Sequence, residues 1–135
     1  MKDYPQLYIN GGWVTSQSVS KIDVINPADG SIYATVPAAC ESDINAAVAA
    51  AKHAFSSWSA TTAEYRAGLI HAIADGMEAR KDELIEAIVN SMGCPVALAD
   101  EIQVQGSIDA FRSFAGLAAH MEESETFDNY IKVQE

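Results

Sequence analysis

The first third of the chain alternates apolar and polar positions with a period of two, and the remainder repeats its apolar positions at three and four. "LYINGGWV" sets Asn10-Gly11 between apolar residues, which predicts a two-residue hairpin turn, because both turn positions need positive φ. "KIDVINPADGSIYATVP" repeats the idea. Ile22 and Val24, then Ile32, Ala34 and Val36 alternate, with Asn26-Pro27 and Asp29-Gly30 punctuating between them.

"ESDINAAVAAAKHAFSSW" predicts a helix capped by Ser42, whose hydroxyl would accept a free backbone N–H. Ile44, Val48, Ala51, Phe55 and Trp58 make one stripe expected to be buried, and the alanines at 46, 47, 49 and 50 leave room for a close neighbour. In "TTAEYRAGLIHAIADGM", Thr61 and Glu64 have capping-box spacing, and Tyr65, Leu69, Ile73 and Met77 mark the expected inner face. Gly76 and "EARKDE" predict a bend or break before Leu84, Ile85, Ile88, Val89 and Met92 resume the pattern. Gly93 falls where a helix ends on a left-handed residue, and Pro95 bars continuation. A last helix carries Ile108, Phe111, Phe114, Ala115 and Ala118 on one face, so strands are expected within 7–36 and helices within 42–121. The acidic "MEESETFDN" then precedes a strand-like "YIKVQE". An alternating apolar strand there leaves an edge in need of a partner, as expected of a chain cut within an element.

Composition narrows the class without naming an activity. The 135 residues match one ordinary domain, and 49% hydrophobic with 20% charged residues is a globular balance. A net charge of −11 argues against nucleic acid and anionic membrane surfaces, whose phosphates repel it. No apolar run approaches the roughly 20 residues of a membrane span. "MKDYPQLYIN" lacks the apolar core of a signal peptide, and a cytoplasmic location is expected. Cys40 and Cys94 form neither a disulfide framework nor a C-x-x-C zinc pattern.

Motifs that carry chemistry are sparse. No G-x-G-x-x-G, P-loop or G-x-S-x-G sequence is present. His71 and Asp75 share a helix face as two metal ligands could, although a solvated surface pair is the plainer reading. His53 falls among alanines at the edge of a packed face, and His120 beside Glu122 and Glu123 reads as a solvated helix end. Nothing marks any carboxylate as desolvated for acid–base work. Tyr8, Trp13, Trp58, Phe111 and Phe114 suit core or interface anchors better than a base-stacking platform. Cys94, in "SMGCPVALADE", is a candidate nucleophile at the start of a helix, with no paired base evident.

Taken in order, "LYINGGWV", "VINPADGSIYATVP", "SDINAAVAAAKHAFSSW", "YRAGLIHAIADGM" and "FRSFAGLA" resemble the start of the aldehyde dehydrogenase superfamily, over residues 7–135. The resemblance implies an α/β fold of N-terminal β-hairpins, three or four helices and a final strand. Residues 1–128 would be the N-terminal part of an NAD(P)-binding domain, and 129–135 the start of an oligomerisation-arm strand. It implies a parent enzyme, homodimer or homotetramer, that uses NAD or NADP to oxidise an aldehyde to a carboxylic acid. There a cysteine forms a thiohemiacetal and a glutamate activates water.

In that family both catalytic groups and the nucleotide-binding turn come later than residue 135. This segment alone is therefore expected to be inactive and to bind no cofactor. No catalytic, cofactor-binding or metal residue is assigned within it, and Cys94 stands where the family has lysine or alanine between the same glycine and proline. Asn10-Gly11, Asn26-Pro27 and Gly30 match family turns; Ala47, Val48, Ala50, Ala51, Phe55 and Trp58 match its first helix, and Arg66 and Asp75 the next. Some relatives hold a monovalent cation on the carbonyl before the Asn-Pro turn, here Ile25. Where they add a carboxylate, this sequence has Gln103 and Gln105. Two readings stand as alternatives: a free-standing, non-catalytic association module of the same descent, and a small metal protein built on His71 and Asp75.

Overall fold

The computed structural model describes residues 1–118 and the backbone of strand residues 124–127 and 130–133. β1 (Lys2–Asp3) precedes the first hairpin, β2 (Gln6–Ile9) with β3 (Gly12–Thr15), in which Tyr8 faces Trp13 and Ile9 faces Gly12. Asn10 and Gly11 have φ of 54° and 76°, the two positive values that a two-residue turn demands. β4 (Lys21–Ile25) runs antiparallel to β5 (Ile32–Pro37), with Val24 opposite Ala34. Their turn closes through Asn26 N to Ser31 O and Gly30 N to Asn26 O, both 2.8 Å. The Asn26 side chain accepts from Ala28 N at 3.0 Å, which holds Pro27 in place.

β1 was not foreseen, being too short to show a period. It pairs parallel to β5 and completes a three-stranded sheet in the order β1-β5-β4. Its side chains reach further: Lys2 Nζ donates to Glu86 Oε1 at 2.7 Å and to Tyr33 OH at 3.1 Å.

The helices are α1 (Glu41–Ser59), α2 (Ala63–Ala79), α3 (Lys81–Met92) and a continuous rod of α4 (Val96–Leu98), a π-helical turn (Ala99–Gln105) and α5 (Gly106–Ala118). Two expected caps move by one or two residues. α1 is capped at Cys40, because the Asp43 carboxylate reaches back to the Cys40 amide at 3.1 Å, and Ser42 falls inside the first turn. α2 is capped by Thr62, which accepts from Tyr65 N, while Thr61 Oγ1 donates to Trp58 O at 2.7 Å and closes α1. Gly76 stays helical; the expected break falls at Arg80, where φ is −117°.

Gly93 ends α3 at φ +69°, as its position predicts, and a Cβ there would lie 2.8 Å from Pro27 Cγ. The Asn-Pro turn thus docks on the end of α3, where Asn26 Nδ2 also reaches Asn90 Oδ1 at 3.4 Å. The final strand has a partner: β6 (Ser124–Phe127), within the acidic segment, pairs antiparallel with β7 (Tyr130–Val133). The predicted helix end at 121, the cluster of His120, Glu122 and Glu123, and strand positions 134–135 lie outside the described residues.

Burial corrects the expected inner faces. The core gathers Ala74, Val104 and Ile108, with Met77, Leu84, Ile85 and Ile88 packed against them. On α2 the small Ala67 and Ala74 face inward, while Tyr65 and Ile73 stay exposed. On α5 Ile108 and Ala115 are buried, but Phe114 is 65% exposed. The large residues of the α1 stripe stay open: Ile44 is 55% and Phe55 67% exposed. Close helix contact on α2 and α5 rests on Ala67, Ala74, Ala115 and Ile108, while Tyr65, Ile73 and Phe114 stay exposed.

Candidate functional site

Three polar clusters tie the elements together. The first centres on Asp43, in the opening turn of α1 and buried. Its carboxylate accepts from Ser16 Oγ at 2.6 Å, Gln17 N at 3.0 Å and Cys40 N at 3.1 Å. The Ser16 hydroxyl leads these donors in pulling the Asp43 pKa down to about 2. The carboxylate is thereby locked ionised at the mouth of a helix, where the dipole also favours it. A proton-transfer group needs the opposite.

The second cluster is the junction of the Asn26-Pro27 turn with Gly93 and Cys94. Cys94 is a free, half-buried thiol in the link between α3 and α4. Ile25, whose carbonyl was the candidate cation ligand, is 46% exposed. Of the two glutamines expected nearby, Gln105 is engaged elsewhere, by Lys81 Nζ at 3.0 Å and by Asp109.

The third cluster lines the α2–α5 seam. Arg112 donates to Asp75 Oδ1 at 3.2 Å and Glu78 Oε2 at 3.3 Å, and these carboxylates, Asp75 first, hold its guanidinium charged. Asp75, one half of the candidate metal pair, is therefore an ion-pair partner of Arg112. His71 and His53 lie exposed. Among the described residues no three His, Cys, Asp or Glu side chains gather as a metal would need.

Apolar grooves lie on the helices among the described residues. One lies between α2 and α5, lined by Ile70, Ser107, Ala110, Phe111 and Phe114. In another the β2–β3 turn lies over α1, where Tyr8, Asn10 and Gly11 face Ala47, Ala51 and Ala54. The alanine run leaves room for that turn. Tyr8 and Trp13, expected as anchors, stack edge to face at 5.2 Å on the outer hairpin. Neither groove brings a nucleophile and a base together.

The chain matches the aldehyde dehydrogenase family over residues 13–134. It belongs to that family. Aldehyde dehydrogenase C of Pseudomonas syringae, solved with NAD+ and octanal, is 34% identical to it with a TM-score of 0.86. The match covers 90% of this chain and 25% of that one. A Mycobacterium tuberculosis aldehyde dehydrogenase complexed with NAD+ is 33% identical, with a TM-score of 0.86, covering 93% of this chain and 26% of its own. A Staphylococcus aureus protein named for the same family is 35% identical over 111 residues, 82% of this chain and 23% of its length. The chain thus spans about a quarter of the length of the relatives it matches. Its fold is the aldehyde dehydrogenase-like α/β arrangement, with strands first and helices after.

Asp43 and Arg112 carry two of these clusters and Lys81 bridges Asp100 and Gln105, yet sequence reasoning missed all three. For Asp43 a signal existed: an acid three residues past the cap, hidden by a cysteine at the cap position. Lys81 and Arg112 act on residues distant in the chain, and no local pattern marks them.

Proposed function

We propose that residues 1–128 are the opening portion of the cofactor domain of an NAD(P)-dependent aldehyde dehydrogenase, and that 129–135 begin its oligomerisation arm. The whole enzyme would be a cytoplasmic homodimer or homotetramer that oxidises an aldehyde to a carboxylic acid. A cysteine thiolate would attack the aldehyde carbonyl to form a thiohemiacetal, the nicotinamide would take the hydride, and a glutamate-activated water would release the acid. The observation that carries this reading is the family match over residues 13–134, in company with relatives solved with NAD+. The exposed apolar faces of α1, α2 and α5 support it, since a later-contributed sheet would cover them.

The sequence contains no glycine-rich phosphate turn, and no step of the oxidation is assigned to these residues. Their part is to shape and support the cofactor domain. Calorimetric titration of the 135-residue chain with NAD and with NADP should show no millimolar-or-tighter binding, while the full-length gene product should reduce NAD or NADP with an aldehyde. Saturable heat from the short chain would place the cofactor site within it and overturn the assignment. The association-module reading rests on the same exposed faces, and a natural stop after codon 135 would favour it.

A further inference from the structure

Residues 96–118 form one helical rod, yet its buried positions do not keep α-helical spacing. Ala99 and Ile108 are fully buried and Val104 nearly so. At about 100° per residue, nine α-helical steps would put Ala99 and Ile108 on opposite sides of the helix. The five-residue step from Ala99 to Val104 runs through the π-helical turn, which accommodates one extra residue. Continued backwards from Ile108 and Val104, α-helical spacing would turn Asp100 or Glu101 into the core. The extra residue puts Ala99 there instead.

The same five-residue period recurs in the polar contacts on the flank. Lys81, the first residue of α3, reaches Asp100 Oδ1 at 2.6 Å and Gln105 Oε1 at 3.0 Å. Asp100 and Gln105 are five positions apart, the hydrogen-bond spacing of a π-helix. On an α-helix they would diverge by about 140°, too far for one ammonium to hold both. Gln105 extends the contact into α5, donating from Nε2 to Asp109 Oδ1 at 3.1 Å. Lys81 directly follows the break at Arg80, so one side chain joins the α2–α3 corner to the π-helical turn.

We propose that Lys81 is a latch that selects the π-helical register of residues 99–105 and so sets the rotation of α5 about its axis. Loss of the extra residue would turn α5 by about 100° relative to α4. That rotation decides that Ile108 and Ala115 face inward while Phe111 and Phe114 border the groove beside Ile70. It also sets Arg112 against Asp75 and Glu78. Lys81 is thus a positioning residue for the whole α2–α5 seam, acting from a helix end that belongs to neither.

Amide hydrogen exchange on the full-length protein carrying this segment tests the latch. Lys81→Met should speed exchange about tenfold at the amides of 103–107, and Lys81→Arg by less than about threefold, with β2, β3 and α1 unchanged in both. Deleting Gln103 removes the extra residue and brings Ala99 and Val104 to α-helical spacing. In that background Lys81→Met should alter the same amides less than about twofold. An absent effect, one spread evenly over the protein, or one of equal size with and without Gln103 would overturn the latch. Should Lys81→Met alone fail to fold, a folded double variant supports the proposal. A deletion variant that does not fold overturns it, because the α register would then be inaccessible.

Discussion

At the scale of single residues, Asp43 is where local and long-range chemistry meet. It satisfies its own helix end and pins the segment after β3, through Ser16 and Gln17, to the start of α1. Its folded pKa of about 2 lies below the ordinary value of 3.8. A depressed folded value means that the stability it contributes is present above pH ~4 and lost as pH falls towards ~2. Asp43→Asn should therefore lower the melting temperature at neutral pH, and the gap from the unsubstituted protein should close as pH falls from ~5 to ~2. Thermal melts across that range measure it; a gap independent of pH would show that the charge is not what matters. The exposed ion pair of Lys21 with Asp3 at 2.8 Å should contribute little by comparison, because solvent screens it.

At the scale of elements, the helices depend on a small core and expose much of their apolar surface. Ile108 is fully buried among Ala74, Val104 and the flanking Met77, Leu84, Ile85 and Ile88. Ile108→Ala should cost about 2–5 kcal/mol in urea unfolding. Phe114, 65% exposed, should cost under ~0.5 kcal/mol when replaced by Ala in the 135-residue chain. A comparable loss at both positions would mean that the α5 face is covered in a way these contacts do not show. Periodicity identified the long helices but mixed buried with exposed positions on two of them. Met77 of the expected α2 face packs on the core while Tyr65 and Ile73 do not, and on α5 Ile108 and Ala115 are buried while Phe114 is exposed. α2 carries two stripes: Tyr65, Leu69 and Ile73 on one side, and Ala67, Ile70, Ala74 and Met77 on the other. Large side chains give the stronger signal, yet the small ones let α5 approach. The π-helical turn hid for a related reason, since a five-residue step mimics no regular period.

At the scale of the whole molecule, the exposed apolar residues set the behaviour. Val48, Phe55 and Trp58 on α1 and Phe111, Phe114 and Leu117 on α5 are each more than a third exposed. Faces of this kind are interaction surfaces. The isolated 135-residue chain should associate at micromolar concentration, which sedimentation velocity over a dilution series would reveal. A monomer that resists dilution and melts cooperatively would contradict this and favour a free-standing module. The candidate metal pair was visible in the sequence as a spacing, yet spacing says nothing about a third partner. Arg112, 37 residues from Asp75, holds the carboxylate instead.

By itself the sequence determined the local geometry and the family. Positive φ at Asn10, Gly11 and Gly93, the break near Arg80 and the order of strands before helices all follow from residues within a few positions of one another. The ordered series of such segments was enough to identify a member of the aldehyde dehydrogenase family. Tertiary structure alone decided which stripe of each helix is buried, that β1 joins β5, and that the Asp43 carboxylate also holds the segment after β3. It also decided that the rod before α5 takes a π-helical turn. Each of these depends on a partner far along the chain: Ser16 is 27 residues from Asp43, Lys2 is 84 from Glu86, and Gln105 is 24 from Lys81. A local pattern fixes what a segment prefers, but which neighbour relieves its unpaired amides, charges and apolar surface is settled only when the segments meet.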